Sequence, residues 1–91
     1  MIRDVVRIEN QLGLHARAAA RLVELTSRYR SDIKLSRMDG RQRIDAKSIL
    51  GILLLAAAQG TELEITVEGP DESDALAAVV GFVRDRFGEE K

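Results

Sequence analysis

Residues Gly13 to Ala20 read GLHARAAA, and the change of pattern inside this stretch sets the reading of the whole chain. Upstream, Asp4 to Glu9 alternates as a strand does, with Val6 and Ile8 on one face and Val5 and Arg7 on the other. Asn10 to Gly13 is turn-like. From Ala16 to about Tyr29 the period becomes helical: Ala18, Leu22, Leu25 and Tyr29, with Ala19 and Val23 beside them, form a broad apolar stripe. His15, the only histidine, therefore falls where a turn becomes a helix.

The alternation returns at Ile33 and Leu35, which predicts a second strand. Asp39-Gly40 is expected to supply the positive backbone angles of a tight hairpin, with a third strand over Arg41 to Asp45. Ser48 is a good N-cap for a short apolar helix, in which Ile52 and Leu54 are expected to face the core. Glu62 to Glu68 is the clearest strand, with Leu63, Ile65 and Val67 inward and Glu62, Glu64, Thr66 and Glu68 outward. Gly69-Pro70 breaks it. Asp71 or Ser73 is expected to cap a last helix whose stripe runs Leu76, Val79, Val80, Val83, Phe87, and the tail GEEK is expected to fray. The order β-α-β-β-α-β-α predicts an α+β two-layer open-faced sandwich, a four-stranded antiparallel sheet with three helices on one face.

Bulk properties narrow the function. A chain of 91 residues supports one core, so residues 1–91 are expected to form a single domain. A net charge of −1 points to neither nucleic acid nor a membrane surface. Tyr29, Phe82 and Phe87 are the only aromatic residues, too few for a stacking platform. With no cysteine there are no disulfides and no thiolate metal sites, and a cytoplasmic location is expected. The N-terminal residues lack the apolar core of a signal peptide, and the longest apolar run, Ile52 to Ala58, is far below spanning length.

The chemistry concentrates at Gly13 to Arg17. The first amides of a helix have no intrahelical acceptors, and the helix dipole adds partial positive charge there, so this end suits a phosphate. The positive end disfavours a cation beside it, and neutral imidazole is the nucleophilic form. Arg17 offers a guanidinium fork to phosphoryl oxygens, and Gly13 permits a sharp turn that projects His15 outward. The plainer alternative is a histidine that caps the helix or faces solvent. No second histidine or carboxylate cluster lies nearby in sequence, so no metal is expected, and a Ser-His-Asp triad would need distant partners.

GLHARAAA resembles the active-site signature of the HPr family, the phosphocarriers of the phosphoenolpyruvate-dependent sugar phosphotransferase system. A second block, DAKSILG at Asp45 to Gly51, resembles that family's regulatory serine signature, and the element order is similar from Met1 to Phe87. The resemblance implies that the protein is a carrier with no turnover of its own. Enzyme I would phosphorylate His15 at Nδ1, with Arg17 assisting. The group would pass to the A component of a sugar permease or of a regulatory branch. It implies no cofactor. Two positions depart from the pattern: Ala18 stands where most members have proline, and Leu12 where many have a small polar residue, which puts a side-chain contact from that position to the imidazole in doubt.

The resemblance also implies that Ser48 is a substrate of an HPr kinase/phosphorylase, a role compatible with capping. Ile49, Leu50 and Leu53 would form an exposed docking patch, with Arg17, Arg21 and Lys47 adding positive charge, although burial is the simple reading of such leucines and a solvated face that of the arginines. Glu24 and Arg28 read as an ordinary i,i+4 pair. Partners are thus enzyme I, an A component and the serine kinase, with no nucleic acid or membrane, and the chain is expected to be a monomer. The alternative is a regulatory interaction module in which Ser48 matters more than sugar uptake.

Overall fold

Alternating apolar residues pair across strands to make one greasy sheet face. In the computed structural model, which describes residues 1–91, the strands are β1 (Ile2–Arg7), β2 (Asp32–Arg37), β3 (Arg43–Asp45) and β4 (Glu62–Glu68), in the antiparallel order β1-β4-β2-β3. Central β4 sets Leu63 opposite Val6, Ile65 opposite Leu35, and Val67 opposite Ile33, all buried. Each such side chain is worth roughly 1.5–3 kcal/mol relative to exposure. The other face is polar: Arg3 pairs with Glu64, and Arg43 Nη2 donates to Thr66 Oγ1 at 2.9 Å.

Helices α1 (Ala16–Thr26), α2 (Ile49–Leu54) and α3 (Glu72–Arg84) cover the apolar face, followed by a 3-10 turn, Arg86–Gly88. α3 lies on β1 and β4, and α1 packs beside α2 and α3. Ala18, Ala19 and Leu22 of α1, Ile52 of α2, and Ala75, Val79, Val80 and Val83 of α3 meet the sheet residues in one core. This is the expected open-faced sandwich.

Several boundaries differ from the expectation, each for a local reason. β1 ends at Arg7, yet Ile8 stays fully buried and donates its N–H to Thr61 O at 2.9 Å. α1 stops at Thr26, whose buried hydroxyl reaches Val23 O (3.2 Å) and Ala46 O (2.8 Å), docking the helix end on the chain after β3. Tyr29 is left half-buried in the following turn. Asp39-Gly40 does not take positive φ. Instead Met38–Gln42 form a wider connection, in which the Arg37 guanidinium grips Asp39 Oδ1 (2.8 Å) and Oδ2 (3.0 Å). The same guanidinium donates to Leu55 O and Ala56 O, the carbonyls at the end of α2, so one arginine shapes the turn and caps the helix. Leu54 is 61% exposed, against expectation, because a helix of under two turns aims Ile52 and Leu55, three apart, at the core.

Asp71 sits at the N-cap position of α3 without capping it. Its carboxylate accepts from Ser31 Oγ (2.5 Å), Arg30 N–H (2.9 Å) and Ser31 N–H (2.9 Å), tying the start of α3 to the approach to β2. Gly69, at φ 152°, allows this: a Cβ there would lie 2.6 Å from Ser31 Cα. The Ser31 hydroxyl and the Arg30 amide hold the Asp71 carboxyl below the usual carboxylate range, against a smaller opposing effect of burial. A depressed native value means the contribution to stability is complete above the unfolded-state value of about 3.9 and disappears as pH falls through the native value. Asp71→Asn is therefore expected to be less stable than wild type at pH 6–7, with the gap closing below about pH 4, as read from urea midpoints across pH.

Candidate functional site

His15 is the N-cap residue of α1, in extended conformation, and its own ring does the capping. The Arg17 backbone N–H donates to His15 Nδ1 at 3.2 Å, and the Ala19 N–H bonds the His15 carbonyl at 2.9 Å. Nδ1 thus accepts, so the ring proton belongs on Nε2. Nε2 lies 2.5 Å from Glu89 Oε2, in a part-buried contact. The capping geometry is compatible with a chemical role, because the cap presents Nδ1 to the positive end of the helix.

The approach to the ring is built by a turn that only glycine closes. Gly13 has φ 67°, and a Cβ there would stand 2.5 Å from Ala57 O and 2.9 Å from Ala58 Cα. Leu14 N–H donates to Ala57 O at 2.9 Å, anchoring the loop on the segment after α2. Asn10 is fully buried and its Nδ2 donates to both Gly13 O and Glu89 Oε1 at 2.8 Å. Two oxygen acceptors fix which way the amide faces, and leave Asn10 Oδ1 without a partner.

Glu89 overturns the expectation of a frayed tail. Arg86 and Phe87 have φ 57° and 55°, left-handed values that turn the chain back after α3. Phe87 is fully buried but lies beyond the helix, edge-on to Phe82 with centroids 5.5 Å apart. Arg21 Nη1 donates to Phe87 O at 3.1 Å, and Gln11 N–H donates to Lys91 O. Burial works to raise the Glu89 carboxyl, but the Asn10 amide, the His15 ring and the Arg17 guanidinium outweigh it and hold the group below the usual range. Arg17 itself is exposed, with Nε 3.9 Å from Glu89 Oε2. Neither Asn10 nor Glu89 was singled out from the sequence. Asn10, three residues before a glycine in a turn, carried a local signal, whereas Glu89 is 74 residues from His15 and carried none.

The remaining candidates divide. Ser48 caps α2, its Oγ accepting from Gly51 N–H at 3.1 Å. Leu50 is 69% exposed, Ile49 43% and Leu53 37%, so all three face solvent, as does Leu54. Leu12 is 63% exposed and has no polar atom to offer the imidazole. Arg21 and Lys47 are both engaged: Lys47 Nζ donates to Tyr29 O at 2.7 Å, as Arg21 does to Phe87 O. Ala18 is buried in the first turn of α1. Glu24 and Arg28 pair at 3.7 Å as expected. No group of three or more His, Asp and Glu is placed to hold a metal ion, and no helix is long and apolar enough to cross a membrane.

Comparison with known proteins gives this open-faced sandwich, with its histidine-capped first helix, a class: the phosphocarriers. The family model described as "PTS HPr component phosphorylation site" matches residues 2–85. The chain is 45% identical over 89 residues to the phosphocarrier protein HPr of Cupriavidus necator, covering 98% of each. It is 46% identical over 90 residues to that of Treponema pallidum, covering 99% of this chain and all of the relative. It is also 37% identical over 89 residues to the phosphocarrier protein NPr of Klebsiella oxytoca, again covering 98% of each. The solved structure of HPr-C-His from Thermoanaerobacter tengcongensis superposes with a TM-score of 0.92 at 37% identity, over the full length of both chains. The chain belongs to the HPr family of the phosphotransferase system. It is a phosphocarrier protein and not an enzyme.

The Gly13 turn gives a direct check on how the site is held. Gly13→Ala adds a left-handed strain and a backbone clash, and is expected to cost about 1–3 kcal/mol of unfolding free energy, measured by denaturant titration.

Proposed function

We propose that this protein takes a phosphoryl group from phosphoenolpyruvate, through enzyme I, on Nδ1 of His15. It delivers the group to the A component of a sugar permease or regulatory branch. The observation that carries this reading is the pair of contacts on the ring: Arg17 N–H on Nδ1 and Glu89 on Nε2. They support an imidazole whose lone pair sits on Nδ1, at the positive end of α1. The Nδ1–P bond forms as phosphorus leaves its donor, and on delivery that electron pair returns to Nδ1. Once Nδ1 carries phosphorus, the Arg17 amide is released to donate to a phosphoryl oxygen, and the exposed guanidinium can fold over the same group. Residues 1–91 act as one unit in this reading, as a monomer in the cytoplasm.

Docking is assigned to Ile49, Leu50 and Leu53, an exposed apolar surface on the helix next to α1. Arg17 supplies charge at its edge, while Arg21 and Lys47, held by Phe87 and Tyr29 carbonyls, supply fixed positive potential. Ser48, at the start of the same helix, is assigned as the target of an HPr kinase/phosphorylase. A phosphate there would stabilise the helix end and place about −1.5 to −2 charges beside the docking leucines. A second reading, in which the chain serves chiefly as a regulatory interaction module, draws on the likeness to the phosphocarrier named NPr.

Incubation with enzyme I and labelled phosphoenolpyruvate is expected to put acid-labile label on wild type and none on His15→Ala; equal labelling would sink the assignment. Arg17→Ala is expected to slow transfer while changing stability by no more than about 0.5 kcal/mol.

Ser48→Asp should keep the fold and slow phosphorylation of His15, less than phosphoserine does, with added salt narrowing the difference. Rates measured for both forms at two salt concentrations test this, and phosphoserine protein that reacts as fast as wild type leaves Ser48 only a cap.

A further inference from the structure

Beyond the Arg17 amide, one group hydrogen-bonds the imidazole, and it arrives from the far end of the chain. The segment carrying it is fastened at successive points. Phe87 is buried as an anchor, Arg21 holds the Phe87 carbonyl, Asn10 holds Glu89 Oε1, and Gln11 holds the Lys91 carbonyl. Left-handed backbone at Arg86 and Phe87 persists because these contacts over-determine it. The outcome of all this is one placement: Glu89 Oε2 at 2.5 Å from His15 Nε2, on the opposite side of the ring from Nδ1.

We propose that Glu89 is a positioning residue for phosphoryl transfer, which holds the His15 proton on Nε2 throughout the cycle and balances the positive charge the ring gains when Nδ1 is phosphorylated. The proposal rests on His15 as the phosphoryl acceptor. With the proton fixed on Nε2, Nδ1 presents its lone pair and no proton has to leave before the N–P bond forms. Once Nδ1 is bonded to phosphorus, the ring with its Nε2 proton is cationic, and an adjacent carboxylate favours that form. On delivery the N–P electron pair returns to Nδ1 and the departing group is a neutral imidazole still protonated at Nε2. A charge-assisted contact of this kind is stronger than one between neutral groups. Asn10 matters because it keeps the carboxylate ionised and aimed, through the amide that also holds the Gly13 turn. The charged groups facing the ring are Glu89 and, from α1, Arg17; they act in opposite directions on a ring cation.

The experiment compares wild type, Glu89→Gln and Glu89→Ala, each first shown to be folded by circular dichroism. Gln keeps an oxygen acceptor without the charge; Ala keeps neither. Enzyme I-dependent phosphorylation is expected to fall in the order wild type, Gln, Ala. The loss should be about tenfold for Ala and lie in kcat, with KM for the carrier within about twofold, because Glu89 touches the ring and not the docking leucines. In the phosphorylated protein, the 31P titration midpoint of the ring should move down by about one pH unit in Glu89→Ala, a shift that lost packing alone would not produce. In the unphosphorylated protein, the Nε2 proton resonance should be visible in wild type and lost to solvent exchange in Glu89→Ala. Label on wild type at His15 together with an unchanged rate and midpoint in Glu89→Ala would overturn the proposal alone. A wild type that takes no label at His15 would overturn the functional reading, and this proposal with it.

Discussion

Everything at the site hangs on how closely the turn before α1 approaches the segment after α2. Gly13 is pressed against the Ala57 carbonyl with no room for a Cβ, and the Leu14 amide bonds that same carbonyl. This contact closes the turn that leads into α1, where His15 is the capping residue. It also couples the histidine loop to the helix that carries Ser48 and the exposed leucines. A turn with more freedom would leave the ring to find its own rotamer, and Nδ1 would have no fixed relation to the helix end.

Asn10 extends that constraint to the end of the chain. Its amide bridges a main-chain carbonyl of the turn and a carboxylate from beyond α3, inside a fully buried environment. Both of its bonds run through the amide nitrogen, which ties the turn and the tail to one group. Buried polar groups of this sort fix one geometry where an apolar filler would permit several. Here the geometry fixed is that of a carboxylate on an imidazole.

The division between the two faces of the molecule follows from simpler physics. Period-two alternation in β4, matched by Val6, Ile33 and Leu35 on its neighbours, commits one sheet face to the helices and the other to water. α2 is too short to bury more than a narrow stripe, so Ile52 and Leu55 go inward while Ile49, Leu50, Leu53 and Leu54 stay outside. Arg37 steadies this short helix from the opposite end by taking its last carbonyls. An exposed apolar surface on a six-residue helix is thus held in place by contacts such as that of Arg37, at the end of β2, rather than by its own length.

Local chemistry determined much of this protein. The strand Glu62–Glu68, the start of α1 at Ala16, the cap at Ser48, the β-α-β-β-α-β-α order and the coincidence of histidine with a helix start are all short-range signals, and GLHARAAA with DAKSILG pointed to the family. Turn geometry and helix ends were less legible. Asp39-Gly40 carries a hairpin signature, yet Arg37 draws Asp39 into an ion pair and a wider turn results. Asp71 looks like a cap, yet Ser31 and Arg30 offer its carboxylate better donors. Leu54 reads as core until the length of α2 decides otherwise. Only the tertiary structure could bring Glu89 to His15, because residues at opposite ends of a chain share no periodicity. Their meeting depends on Phe87 being buried and the backbone reversing behind it, and no pattern in GEEK records that.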